Sequence, residues 1–135
     1  ILDLRIRSTL PHTYEAYCFY LAKLRMSLNV SFTGTEASMH VKGRVLESAL
    51  AGACLLETRG SPSNYWFKPG LDYLEYSTAE EAMAIRERLK NEPEESQAIA
   101  DSLRRRVLAE HSPAVFWQRL FGRIGIDTAA VARVA

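Results

Sequence analysis

Lys42, Gly43, Arg44 and Glu47 form the stretch of this 135-residue chain whose residue types and spacing say most about chemistry. They follow an alternating run, Met26 to Phe32, and a loop, Thr33 to Lys42, that is rich in small hydroxyl residues. From Gly43 to Ala51 the apolar positions Val45, Leu46, Ala49 and Leu50 recur at helical spacing. In open α/β sheets ligands bind beyond the carboxyl ends of the strands, so a strand-to-helix junction of this kind is where a ligand would lie. The first amides of a helix have no partner within it, and the aligned peptide dipoles favour an anion there. Gly43 would let a phosphate approach the backbone, and Lys42 and Arg44 add positive charge at the same place. Glu47, one turn along, could accept hydrogen bonds from the vicinal hydroxyls of a ribose, and His40, in the loop, could donate to a phosphate or a sugar. Phosphate donors followed by a diol acceptor are the parts of a nucleotide site. The same residues also read as an ordinary solvated helix start, with Arg44 and Glu47 forming a surface pair three residues apart.

The elements that would position these groups alternate along the chain. Ile1 to Arg7 alternates like an edge strand, and Tyr14, Tyr17, Cys18, Leu21 and Leu24 mark a helix over 13–25. Met26 to Phe32 is a strand with Met26, Leu28, Val30 and Phe32 on one side and small polar residues on the other. Gly52 is placed to cap the following helix, and Ala53 to Leu56 is a continuous apolar run of the kind buried in a parallel sheet. Ser61-Pro62 opens a short turn or helix, Pro69-Gly70 is a turn, and Leu71 to Tyr76 is a strand. Ser77 or Thr78, three residues before Glu80 or Glu81, makes a capping box for a helix to Asn91. Pro93 opens a helix to Glu110, and Ser112-Pro113 opens a last one carrying Val115, Phe116, Trp117, Leu120 and Phe121. Such alternation predicts an α/β fold, a Rossmann-like parallel sheet with flanking helices, as one domain over residues 1–135. Four strands make a thin sheet for three apolar closing helices, so self-association or an exposed apolar patch is expected.

Composition narrows the function further. Seventeen basic against sixteen acidic residues leave a formal charge of +1, which gives no reason to expect nucleic acid or an anionic membrane as partner. Arg104, Arg105 and Arg106 project in different directions from one helix and read as a solvated face. Cys18 and Cys54 lie far apart with no histidine at ligand spacing, which argues against zinc or a disulfide; both are expected to be buried thiols in a reducing compartment. No apolar run approaches the roughly 20 residues that span a bilayer, and Asp3, Arg5 and Arg7 stand where a signal sequence would be apolar, so a cytoplasmic location is expected. The chain starts at Ile1, within a strand-like segment, and is expected to be a piece of a longer polypeptide. His12 and His111 flank helix starts and read as capping or exposed residues, while Tyr65, Trp66 and Phe67 read as filling between sheet and helix.

Taken together, Met26 to Phe32, Met39 to Glu57 with Lys42-Gly43-Arg44, Glu47 and Gly52, and Phe67 to Tyr76 with Pro69-Gly70 resemble the C-terminal half of GT-B glycosyltransferases. The likeness is greatest to the group-1 type that includes the spore-maturation glycosyltransferases, and it covers residues 14 to 121. It implies a domain that holds a nucleotide-diphosphate sugar, with Glu47 on the donor ribose and Lys42 to Arg44 near the diphosphate. It implies glycosyl transfer without an obligatory metal or other cofactor, and an N-terminal Rossmann-like domain outside these residues that would contribute the acceptor site. Retaining members of this kind carry an acidic residue where this chain has Met39. A domain of the same fold that serves as a protein-interaction or assembly module, with a degenerate nucleotide site, is therefore the alternative. No residue is assigned as a catalytic base.

Overall fold

The computed structural model describes residues 13–32 and 38–126. In chain order the elements are α1 (Tyr14–Leu21), β1 (Met26–Asn29), α2 (Gly43–Ala51), β2 (Cys54–Thr58), a 3₁₀ turn (Pro62–Tyr65), β3 (Leu74–Tyr76), α3 (Ala79–Asn91), α4 (Pro93–Glu110) and α5 (Pro113–Arg123). The three strands form one parallel sheet in the order β1-β2-β3, with Met26 beside Cys54, Leu28 beside Leu56, and Leu56 beside Leu74. Parallel strands joined through helices are the α/β Rossmann-like arrangement expected from the alternation of elements. The expected strand over 1–7, His12 and the middle of the loop before α2 lie outside the described residues.

Capping residues set the helix boundaries. Thr13 accepts from the Ala16 amide, Ser61 from Ser63 and Ser112 from Val115. Of the two capping-box candidates the structure selects Thr78, which accepts from the Glu81 amide while the Glu81 carboxylate accepts from the Ser77 amide. Gly52 ends α2 at φ 75°, a left-handed conformation that a side chain would strain. α1 stops at Leu21, short of the expected end, because the chain turns there to enter β1. Lys23 and Leu24 donate to the carbonyls of Tyr20 and Leu21 in tight turns.

Side chains alternate across β2, so it has a core on each face. Leu55 joins Val45, Ala49, Phe67, Tyr73, Leu103 and Val107 on the face covered by α2 and part of α4. Cys54 and Leu56 join Tyr76, Ala82, Leu89, Ile99 and Ala100 on the face covered by α3 and the rest of α4. β1 is different. Its small polar residues Ser27, Asn29 and Ser31 are the buried ones, whereas Leu28 and Val30 each remain 49% exposed. α3 packs through Ala82 and Leu89 against Cys54, Leu56 and Tyr76, and among the described residues nothing covers Leu28 and Val30. An apolar hollow of about 620 Å³ lies there, lined by Leu28, Val30, Leu56, Tyr76, Met83, Arg25 and Arg86 among others.

Two expectations need correction. Cys54 is buried, and burial pushes its thiol up to about 11, but Cys18 is exposed. The physical reason is that α1 buries only Leu21 and turns its Cys18 side to solvent. Arg106 does not belong to a solvated face: its Nε lies 2.6 Å from Oδ2 of the fully buried Asp72, which also accepts from Ser102 and the Lys68 amide. That ion pair fastens the Pro69-Gly70 turn to α4.

Two measurements check this arrangement. A thiol reagent should label one cysteine, Cys18, in the native protein and both after unfolding in urea. Arg106→Ala leaves the Asp72 carboxylate buried without its cation, and should lower unfolding free energy by about 3 kcal/mol in a urea titration. A change under about 0.5 kcal/mol would show that the pair is only a surface contact.

Candidate functional site

The carboxyl end of β1 and the start of α2 meet at one hollow of about 430 Å³, lined by Leu28, Asn29, Val30, Lys42, Gly43, Arg44 and Glu47. Lys42 is the N-cap residue of α2, and its side chain makes no capping hydrogen bond. No acidic residue stands in the first turn. The Val45 amide bonds to the Lys42 carbonyl at 3.0 Å, and among the described residues the amides of Gly43 and Arg44 have no backbone acceptor. The Lys42 ammonium donates to the Phe32 carbonyl at 3.0 Å and so ties the end of the β1 segment to the helix start.

Glu47 faces the same hollow and is half-buried. Its Oε2 accepts from the Tyr17 hydroxyl at 2.6 Å, and a Cβ built on Gly43 would lie 3.7 Å from its Oε1. One carboxylate oxygen is thus held by α1, and the other is turned toward the helix start. The Arg44 guanidinium lies 5.9 Å from the centre of the Tyr17 ring. Burial, reinforced by the hydrogen bond to Glu47, raises the Tyr17 hydroxyl above the ordinary tyrosine range. It therefore remains a donor to Glu47 at neutral pH. Of the residues singled out by spacing, the structure brings Lys42, Gly43, Arg44 and Glu47 together. His40 is not among those lining the hollow: its Nε2 pairs with Ser38 Oγ at 2.8 Å in an exposed loop, while its backbone amide donates to the Ser31 carbonyl.

Three residues at the site escaped the sequence reading. Tyr17 has the spacing of a core-facing helix position, and nothing local shows that it meets a residue 30 positions away. Asn29 lines the hollow, and Glu57 is fully buried beneath it at the end of β2. A signal for that pair did exist: Ser27, Asn29 and Ser31 alternate on one side of a strand, and a glutamate directly follows the apolar run Ala53 to Leu56.

A second concavity of about 390 Å³ lies by α5, lined by Leu46, Trp66, His111, Phe116 and Leu120 among others. Of the three aromatic residues expected to fill between sheet and helix, only Phe67 does so. Trp66 is exposed, as is Tyr65 at 85%, because the 3₁₀ turn aims them outward. His111 is the C-cap residue of α4 and packs 5.1 Å from the Phe67 ring centre. Burial lowers its imidazole below the ordinary histidine range. Among the described residues no group of three or more His, Cys, Asp or Glu is placed to hold a metal ion. Nor is any described helix long and apolar enough to cross a membrane.

An α/β Rossmann-like domain with a basic, glycine-started helix at the carboxyl edge of its parallel sheet defines a class of ligand-binding folds. Comparison with known families narrows it: a family model described as glycosyl transferase-like matches residues 4–122, and the chain belongs to that family. No curated protein and no solved structure matches it significantly. The domain is accordingly of glycosyltransferase type.

Gly43→Ala separates fold from site. The added methyl meets only an ordinary contact at 3.7 Å, so stability should be unchanged or rise by up to about 1 kcal/mol, while the approach of an anion to the helix start is obstructed. Thermal melts with and without pyrophosphate check both halves of this expectation. For His111 the folded state holds the proton less tightly than the unfolded chain, whose imidazole titrates near about 6.5. Below that pH the unfolded state gains the extra proton, so stability should fall as pH drops from about 6.5; above it the histidine contributes no slope. His111→Phe should remove that part of the pH dependence, measured as urea midpoints at matched pH values.

Proposed function

We propose that this domain binds the nucleotide-diphosphate sugar of a glycosyl transfer reaction. One observation carries the reading: an uncapped helix start, two cationic side chains and a carboxylate line one open hollow at the carboxyl end of β1. The amides of Gly43 and Arg44 would receive the diphosphate, with Lys42 and Arg44 supplying positive charge. Glu47 would accept from the ribose hydroxyls through the oxygen not held by Tyr17.

Transfer of the sugar requires stabilisation of the charge that develops on the departing diphosphate as the sugar becomes oxocarbenium-like. Fixed donors and cations aimed at that position provide it without reorganisation, and Lys42, Arg44 and the helix start are such groups. Glu47 would orient the donor, since a carboxylate engaged with ribose hydroxyls is remote from the anomeric carbon. An N-terminal Rossmann-like domain would bring the acceptor. His40, held by Ser38, would reach the sugar only after the loop rearranges.

A second reading has its own support. Met39 stands where retaining members carry an acid, and α5 buries none of its residues, leaving Phe116, Trp117 and Leu120 open to a partner. These features suit an assembly module of glycosyltransferase fold with a degenerate nucleotide site.

A thermal-shift series with the diphosphates of uridine, guanosine and adenosine and their sugars separates the two. A nucleotide present at 100 times its dissociation constant should add about 2.7 kcal/mol of stability. Glu47→Ala should abolish that gain, and Tyr17→Phe, which frees the carboxylate, should reduce it. No response to any nucleotide, with the native chain folded, would count against the donor-binding reading and favour the assembly reading.

A further inference from the structure

We infer that Glu57 is a positioning residue for the hollow at the start of α2, acting through Asn29 and Ser31 rather than on a ligand itself. Its carboxylate is fully buried at the carboxyl end of the central strand. Oε1 accepts from Ser31 Oγ at 2.6 Å and from the Thr58 amide at 2.8 Å; Oε2 accepts from Asn29 Nδ2 at 2.8 Å and from Ser63 Oγ at 3.3 Å. Four donors occupy the acceptor directions a carboxylate offers, so nothing is left over for a ligand. The four come from three segments, namely the end of β1, β2 itself and the 3₁₀ turn.

What those donors do next makes this more than a stabilising cluster. Asn29 lines the hollow, and its carbonyl is fixed in turn by the Tyr76 hydroxyl at 2.7 Å. Ser31 is also held by Ser61 Oγ at 2.9 Å and by a bond from its amide to Thr58 Oγ1. Its carbonyl receives the His40 amide, and the next residue, Phe32, receives the Lys42 ammonium. Both ends of the loop between β1 and α2 are therefore referred to one carboxylate. Among the described residues nothing covers Leu28 and Val30 on the apolar face of β1, so this polar clasp on its other face sets where its carboxyl end sits relative to Gly43. The reading of the hollow as a diphosphate site supplies the ligand for the test below, but the positioning claim also has a readout of its own.

Glu57→Gln keeps the volume and loses the match. A carboxamide has one acceptor oxygen, and its NH₂ cannot accept from the Asn29 NH₂ or the Thr58 amide, whereas the serine hydroxyls can turn. With the oxygen on the Thr58 amide, Asn29 is the group released. The experiment is a ¹H–¹⁵N spectrum of the native chain, Glu57→Gln and Arg106→Ala, each titrated with inorganic pyrophosphate. In Glu57→Gln the Gly43 and His40 amide signals should move and pyrophosphate should bind about tenfold more weakly, the effect of losing one charge-assisted hydrogen bond. Arg106→Ala, a comparable loss at the other fastening of the fold, should melt earlier with both readouts unchanged. Glu57→Gln with native Gly43 and His40 signals, and affinity within about twofold of the native chain, would overturn the inference. If the native chain itself does not bind pyrophosphate, the diphosphate reading fails while the two amide signals still decide the role of Glu57. Should Glu57→Gln not fold, Ser31→Ala removes a single donor and is read by the same signals, with the same outcomes for and against.

Discussion

A buried carboxylate in a sheet must find donors or destabilise the fold, and here that constraint organises the carboxyl edge of the sheet. Glu57 sits at the end of the only strand with neighbours on both sides among those described, and it draws Asn29, Ser31 and Ser63 inward. The polar side of β1 is buried for this reason, and its apolar side is left half-open. The loop that begins at Ser31 and closes at His40 and Lys42 inherits its geometry from the same clasp. α2 then starts beside the end of β1 with its first amides uncapped, and Tyr17 holds Glu47 over that start.

Two fastenings divide the work between stability and function. Asp72 with Arg106 closes the Pro69-Gly70 turn onto α4, and neither residue is among those lining the hollow. Glu57 closes the opposite end of the sheet, where a ligand would lie. The conformational work is spread across small hydroxyl and amide donors, not across ion pairs, so the charges on Lys42 and Arg44 are not neutralised by a carboxylate partner among the described residues. Among the described residues the start of α2 has neither a capping side chain nor a first-turn acid, either of which would stabilise it.

Much of this was legible in the sequence, and the limits were physical. Helix starts at Ala79 and Pro113 followed from their caps, because a cap is a local contact between residues three apart, and the start at Pro93 followed from the fit of proline to a first helical position. The parallel sheet followed from the alternation of elements, and the hollow from the rule that ligands lie beyond strand ends. The long-range contacts were not legible. Tyr17 with Glu47, Arg106 with Asp72 and Asn29 with Glu57 each join residues about 30 positions apart. Periodicity sorts side chains by face, but it cannot say which face of an edge strand a helix will cover. For β1, therefore, period two was correct, yet the buried side was the polar one. Cys18 fails for a similar reason: its spacing suits a buried helix face, but α1 is anchored only at Leu21.

The most direct test of the site is a crystal structure of the domain grown with a saturating nucleoside diphosphate, the uridine, guanosine and adenosine forms tried in parallel. The diphosphate oxygens are expected within hydrogen-bond reach of the Gly43 and Arg44 amides, with a ribose hydroxyl on Glu47. A nucleotide bound elsewhere, or a hollow still empty with Glu47 unchanged on Tyr17, would contradict the assignment.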